Sequence, residues 1–149
     1  MKLILLSIIS LNIFVSSASS TEAITGKEYQ AVIETAYNYF KGAARGDQKL
    51  LSKAFDQDFG HVKMLVVDKE TGEETIRTVS LKEFSTYFKG TEKKWEANIL
   101  SVDIVDNKMA IVKMDFHTPS THYVDYLVMY KRQNAWRIIT KTFTAKAKS

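Results

Sequence analysis

Hydrophobic positions recur along this chain with two periods. Tyr29, Val32, Ile33, Ala36, Tyr37, Phe40 and Ala43 fall at the spacing of a helix with one apolar face. Gly42 weakens its last turn, Gly46 ends it, and Asp47 is placed to cap a short second helix carrying Leu50, Leu51, Ala54 and Phe55. From Gly60 the period shortens to two. Residues 61–68 and 74–80 flank the polar loop Lys69-Glu70-Thr71-Gly72 and predict a short, peripheral hairpin. Ser80-Leu81-Lys82-Glu83 is a capping box that opens a third helix, to about Phe88. After a polar connection over 90–94, the segments 95–105, 108–118, 121–132 and 135–145 predict a four-stranded meander. Its two-residue turns fall at Asp106-Asn107, Pro119-Ser120 and Gln133-Asn134, and 146–149 is predicted as a frayed tail.

Tight turns set the register, and register sorts each strand into two faces. One face collects Trp95, Ala97, Ile99, Ser101, Val112, Met114, Phe116, Tyr123, Asp125, Leu127, Met129, Trp136, Ile138 and Thr140. So much apolar surface must be covered, and the first helix supplies the matching stripe. A twisted sheet curled around one helix, an α+β cone, buries both. The other face mixes Lys113, Asp115, His117, His122, Arg137 and Lys141 with Val128, Ile139 and Phe143, a combination suited to partial burial in a dimer. A bulge in any strand would exchange the faces beyond it.

Composition supports one domain over 21–149: 45% of the 149 residues are hydrophobic, enough for a core without metal or disulfide staples. Residues 1–20 stand apart, with Lys2, the apolar run Leu3–Val15 and the small, polar 16–20 forming the pattern of a secretory signal peptide. That run is shorter than the roughly 20 residues a membrane span needs, so export without a membrane anchor is expected. Cleavage after Ala18 and after Ser20 fit equally. There is no cysteine, which removes disulfides, thiol catalysis and thiolate metal sites. The formal charge of +4 falls by one with the signal, and the remaining positive residues are interspersed with acids rather than gathered into a stripe, so no nucleic-acid partner is expected.

Asp125 is the exception on the apolar face. A lone buried charge costs several kcal/mol, so this carboxylate must be paired, hydrogen-bonded or protonated. It is either a structural carboxylate held by backbone amides or a tyrosine such as Tyr37, or a ligand-facing group whose pKa is raised by apolar surroundings. His117 and His122 face each other across the Pro119-Ser120 turn with Asp115 nearby. Two histidines and a carboxylate can hold a metal, but exposed histidine pairs usually do not, and neither metal nor cofactor is expected. No phosphate-binding glycine loop or nucleophile elbow is present.

Tyr39-Phe40-Lys41-Gly42 with Gly46-Asp47, Asp125-Tyr126-Leu127, and Trp136-Arg137-Ile138-Ile139 with Lys141-Thr142-Phe143, in this order of elements, resemble the nuclear transport factor two-like superfamily, and within it the lumazine-binding branch. The resemblance spans about Glu28 to Phe143. It implies a cystatin-like cone of antiparallel sheet around a long helix, a homodimer through the sheet, and a pocket at the open end. Relatives include isomerases, dehydratases, cyclases and plain binding modules, so the fold leaves function open. Where such relatives have Asp-Gly in the last hairpin, this chain has Gln133-Asn134, which leaves room for a longer or differently shaped turn.

The leading expectation is an exported, non-enzymatic domain that binds a small apolar or aromatic ligand through Tyr37, Phe40, Trp95, Met114, Phe116, Tyr123 and Asp125. Two alternatives stand beside it: an isomerase, dehydratase or cyclase with Asp125 as general base, and a structural or accessory dimerisation module whose own side chains fill the cone.

Overall fold

The computed structural model describes residues 26–91 and 94–148. The predicted signal peptide and its cleavage site lie outside them. Helix α1 runs Gly26–Arg45, with Glu28 in its first turn and Arg45 in its last, each of the sign that complements the helix dipole. Its buried face is Val32, Thr35, Ala36, Tyr39, Gly42 and Ala43, rotated slightly from the predicted stripe. Tyr39 goes to the core, while Tyr37 and Phe40 stay half-buried and Tyr29 is exposed. Asp47 caps α2 (Gln48–Ala54) by accepting from the amides of Lys49 and Leu50.

Strands β1 (His61–Val67) and β2 (Glu74–Ser80) form the expected hairpin. Ser80 caps α3 (Leu81–Ser85), which is shorter than predicted because the chain passes into turns at 86–88. Strands β3 (Glu96–Val105), β4 (Met109–His117), β5 (Thr121–Arg132) and β6 (Ala135–Ala147) are the meander. Among the described residues the sheet has six strands in the order β2-β1-β6-β5-β4-β3, antiparallel except where β1 lies parallel to β6. It is curved and unclosed. Its concave face packs on α1 through Val112, Met114, Leu127, Met129 and Ile138, all fully buried. Burying each such side chain contributes about 1.5–3 kcal/mol.

Two bulges revise the predicted register. In β3 the ladder passes from Ile99↔Met114 to Ser101↔Lys113, so Leu100 is the extra residue. Val102, not Ser101, therefore sits opposite Val112. The turn before β4 is also longer than predicted, pairing Val105 with Met109, and the two displacements cancel at Ile99. In β6 the ladder passes from Met129↔Ile138 to Val128↔Thr140, leaving Ile139 extra. Beyond it the faces exchange. Lys141 and Phe143 turn to the concave side, and Thr140 turns away from it.

The Gln133-Asn134 turn is tight after all, pairing Arg132 with Ala135, with both central residues at positive φ of 51° and 60°. That is the primed geometry whose twist matches flanking strands, and the long paired arms hold Gln133 in it. The predicted frayed tail is a strand through Ala147, paired with Thr121, and Lys148 donates its amide to the Ser120 carbonyl at 2.9 Å.

Candidate functional site

The concave face is not filled to its open end. A cavity of about 570 Å³ remains there, walled by Phe84 and Phe88 on one side and Trp95, Phe116 and Tyr123 on the other, with Thr118, Pro119 and Ser120 at the mouth. The aromatic wall is ordered. Phe116 stacks on Tyr123 with centroids 4.7 Å apart and on Trp95 at 6.0 Å, both at an interplanar angle of 16°, while Phe84 and Phe88 meet edge to face at 5.0 Å.

Lys141, Tyr39 and Phe143 also line this cavity. Behind the lysine lies Asp125, 0% exposed. Lys141 Nζ stands 2.8 Å from Asp125 Oδ1, and the Tyr39 hydroxyl donates to Oδ2 at 2.9 Å. Beyond this contact Oδ1 has no other partner. The Lys141 ammonium also sits 3.8 Å from the centroid of the Phe143 ring. Burial pushes the Lys141 amine down from 10.5 to about 8, against the pull of Asp125. Burial likewise raises Asp125, against Lys141 and Tyr39, and raises Tyr39 well above its usual value with help from the neighbouring carboxylate.

Of the residues singled out from sequence, Trp95, Phe116 and Tyr123 line the cavity. Met114 is fully buried opposite Asp125 on the adjacent strand, within the core. Phe40 packs on Phe116 at 6.1 Å, and Tyr37 is half-buried with the Lys41 ammonium 5.9 Å from its ring. Neither is among the cavity-lining side chains. The tyrosine on Asp125 is Tyr39 and not Tyr37, because Val32, Ala36, Tyr39 and Ala43 are the positions α1 turns to the sheet. Asp125 is also not a lone acid looking into the hollow; Lys141 and Tyr39 stand at the cavity in front of it.

Sequence reasoning missed Lys141 because strict alternation put it on the other face. The signal was present: the apolar positions Trp136 and Ile138 are even, while Phe143 is odd, and only a phase shift turns all three inward.

Elsewhere, Asp115 Oδ1 lies 2.6 Å from His122 Nε2 and 3.2 Å from His117 Nε2, with the two imidazoles stacked at 4.3 Å. One potential ligand atom from each lies within 4.8 Å of the others, all on half-buried side chains of the convex face. A groove of about 650 Å³ beside α1 is lined by Glu28, Lys131 and Trp136, but those groups bond one another: Glu28 accepts from Lys131 Nζ at 2.7 Å and from the Trp136 indole at 2.9 Å.

The fold and site define a half-open α+β cone with an aromatic cavity over a buried ion pair. The family described as "Putative lumazine-binding" matches residues 27–144, and the chain belongs to that family. It is 32% identical over 122 residues to Aldolase FrzH of a Cladobotryum species, spanning 80% of this chain and 93% of that protein. Among solved structures it is similar to an NTF2-like protein of unknown function from Shewanella baltica, with a TM-score of 0.70 and 18% identity over 85% of this chain and 100% of the other. A second NTF2-like protein of unknown function, from Methylobacillus flagellatus, gives 0.67 and 20% over 83% and 96%. These two likenesses establish the nuclear transport factor two-like fold.

Proposed function

We propose that this protein is a small-molecule-binding domain whose cone takes a planar, largely apolar ligand between its aromatic walls, with one polar group directed at Lys141 and Tyr39. The observation that carries this reading is the cavity itself: about 570 Å³ of space bounded by stacked rings, with Lys141 the one charged side chain lining it among the described residues. The family description agrees with it, since a lumazine is a planar heteroaromatic molecule with carbonyl groups. The signal-like pattern of 1–20 supports export as part of the same reading. Exposed Ile111, Tyr126 and Tyr130 on the convex face support a homodimer through the sheet.

A second reading is chemistry at a carbonyl or an adjacent carbon, favoured by the similarity to Aldolase FrzH over most of both chains. In that reading the polar residues at the cavity, and not aromatic walls alone, are the working groups. Asp125 reaches a ligand only through Lys141 or Tyr39.

The test is titration with 2-naphthol while following Trp95 emission, with Trp95→Phe as control, together with native mass spectrometry of protein purified from its own host. A saturable change in wild type that is lost in the control, or a retained small molecule, is expected. The absence of both signals would overturn the reading.

A further inference from the structure

We propose that Lys141 is a nucleophile that forms an imine with the aldehyde or ketone carbonyl of a ligand in the cavity, and that Asp125 moves the protons for that step. The inference rests on the ligand-binding reading and specifies its chemistry.

Geometry carries it. Among the described residues Lys141 is the charged side chain that lines the cavity; it is 1% exposed, and its counter-ion, at 0%, stands behind it and is not a lining residue. The sheet interrupts its ladder at Ile139 and so turns Lys141, which alternation would have sent to solvent, into the hollow. A buried ion pair contributes little stability over apolar packing of the same volume, so stability alone gives no reason for one at this position. Asp125 Oδ1 has the lysine as its sole partner and keeps a lone pair free for proton transfer, and Tyr39 holds Oδ2 so that the carboxylate cannot rotate away. Burial disfavours both charges, which moves the pair toward neutral amine and neutral acid once a ligand closes the cavity.

The step balances without any further reactant. A proton passes from Lys141 Nζ to Asp125 across 2.8 Å, leaving an amine with a free lone pair. The lone pair attacks the carbonyl carbon, the C–N bond forms, and the carbonyl π electrons move to oxygen, which takes the proton of the Tyr39 hydroxyl as Asp125 passes its own proton to the Tyr39 oxygen. Asp125 next removes a proton from the new C–N nitrogen and passes it through the Tyr39 hydroxyl, by the same exchange, to the hydroxyl on carbon. The C–O bond then breaks, water leaves, and the nitrogen lone pair closes the C=N bond. The product is a protonated imine. It carries the single positive charge that the ammonium brought, so the Asp125 carboxylate and the Phe143 ring face the same charge before and after.

The experiment treats the full chain with limiting 2-naphthaldehyde and sodium cyanoborohydride, then maps adducts by peptide mass spectrometry. Lys141 is expected to be labelled at least about tenfold faster than any other lysine, since its larger fraction of free amine near neutral pH outweighs its lower basicity. The carbonyl-free analogue 2-naphthol should protect it. Lys141→Arg keeps the charge and should abolish the adduct. Because that variant, like Asp125→Asn, can misfold, Lys141 labelling in the wild type is also followed against pH: it should climb as pH rises through about 8 and level off above it, and a rate flat across that range would refute the amine as nucleophile. If 2-naphthol binds but Lys141 is labelled no faster than surface lysines, the imine is refuted and the binding reading stands. If neither probe engages the cavity, both fall.

Discussion

Asp125 and Lys141 are diagonal neighbours across the β5–β6 ladder, each facing the concave side: Leu127 pairs with Lys141, Asp125 pairs with Phe143, and the side chains close the diagonal at 2.8 Å. The contact exists because Ile139 is an extra residue in β6. Without that bulge Lys141 would oppose Tyr126 on the convex face, and Asp125 would be an unpaired charge in the core.

Removing one member of the pair should therefore cost far more than removing both. Lys141→Met leaves a buried carboxylate without its counter-ion and should lower unfolding free energy by about 3–5 kcal/mol in urea titrations, whereas the double variant Lys141→Met/Asp125→Leu should recover most of the loss. A double variant as unstable as the single one would show that the pair itself holds the sheet together. Tyr39→Phe, which strips one donor from the same carboxylate, should cost about 1–3 kcal/mol.

The pair also sets a pH dependence with a definite sign. Lys141 is held near 8 in the folded state against 10.5 ordinarily, so between those values the unfolded chain binds more protons and stability rises with pH, by up to about 1.4 kcal/mol per unit. Asp125 is raised, so the folded state binds more protons just above pH 3.8, and its contribution falls as pH climbs from there. Unfolding free energies measured from pH 7.5 to 10.5 should show the rising arm in wild type and lose it in Lys141→Met/Asp125→Leu.

Acid sensitivity should come from the other end of α1. Glu28 is held below its usual carboxyl range by hydrogen bonds from Lys131 and Trp136, so it stabilises the fold above its unfolded value near 4.5 and that contribution is lost as pH falls through its lower folded value. Glu28→Gln should cost about 1–3 kcal/mol at pH 7 and flatten the stability curve below pH 4.5. A variant whose acid limb coincides with wild type would assign that limb to another group.

A backbone contact ties α1 to the segment that roofs the cavity. Gly90 has φ of 77°, and a Cβ there would sit 2.4 Å from the Arg45 carbonyl oxygen. Gly90→Ala should destabilise by more than about 1 kcal/mol, and by displacing Phe88 and Trp95 should weaken 2-naphthol binding as well. Unchanged affinity together with lowered stability would show that the roof is independent of the clasp.

The elements themselves were legible because each depends on local chemistry. The stripe along α1, the Asp47 and Ser80 caps and the alternation of β4 and β5 follow from residues within a few positions of one another. The pairings Phe116↔Tyr123 and Met114↔Asp125 follow from the Pro119-Ser120 turn alone. Phe116 and Tyr123 are legible in this way, and Trp95 because the two displacements in β3 cancel at Ile99. Lys141, Phe84, Phe88 and Phe143 were not, since their place at the cavity depends on α3 folding over the sheet and on the phase shift in β6.

What the sequence determined by itself was the period of each segment, and with it an α+β cone with an acid on its apolar side. Tertiary structure decided which partner that acid has. A strand's alternation is a local rule, but a bulge is accepted only when the whole sheet gains by it; here the gain is Phe143 and a counter-ion turned inward together. That energy is shared among β5, β6 and α1, and no window of consecutive residues contains it.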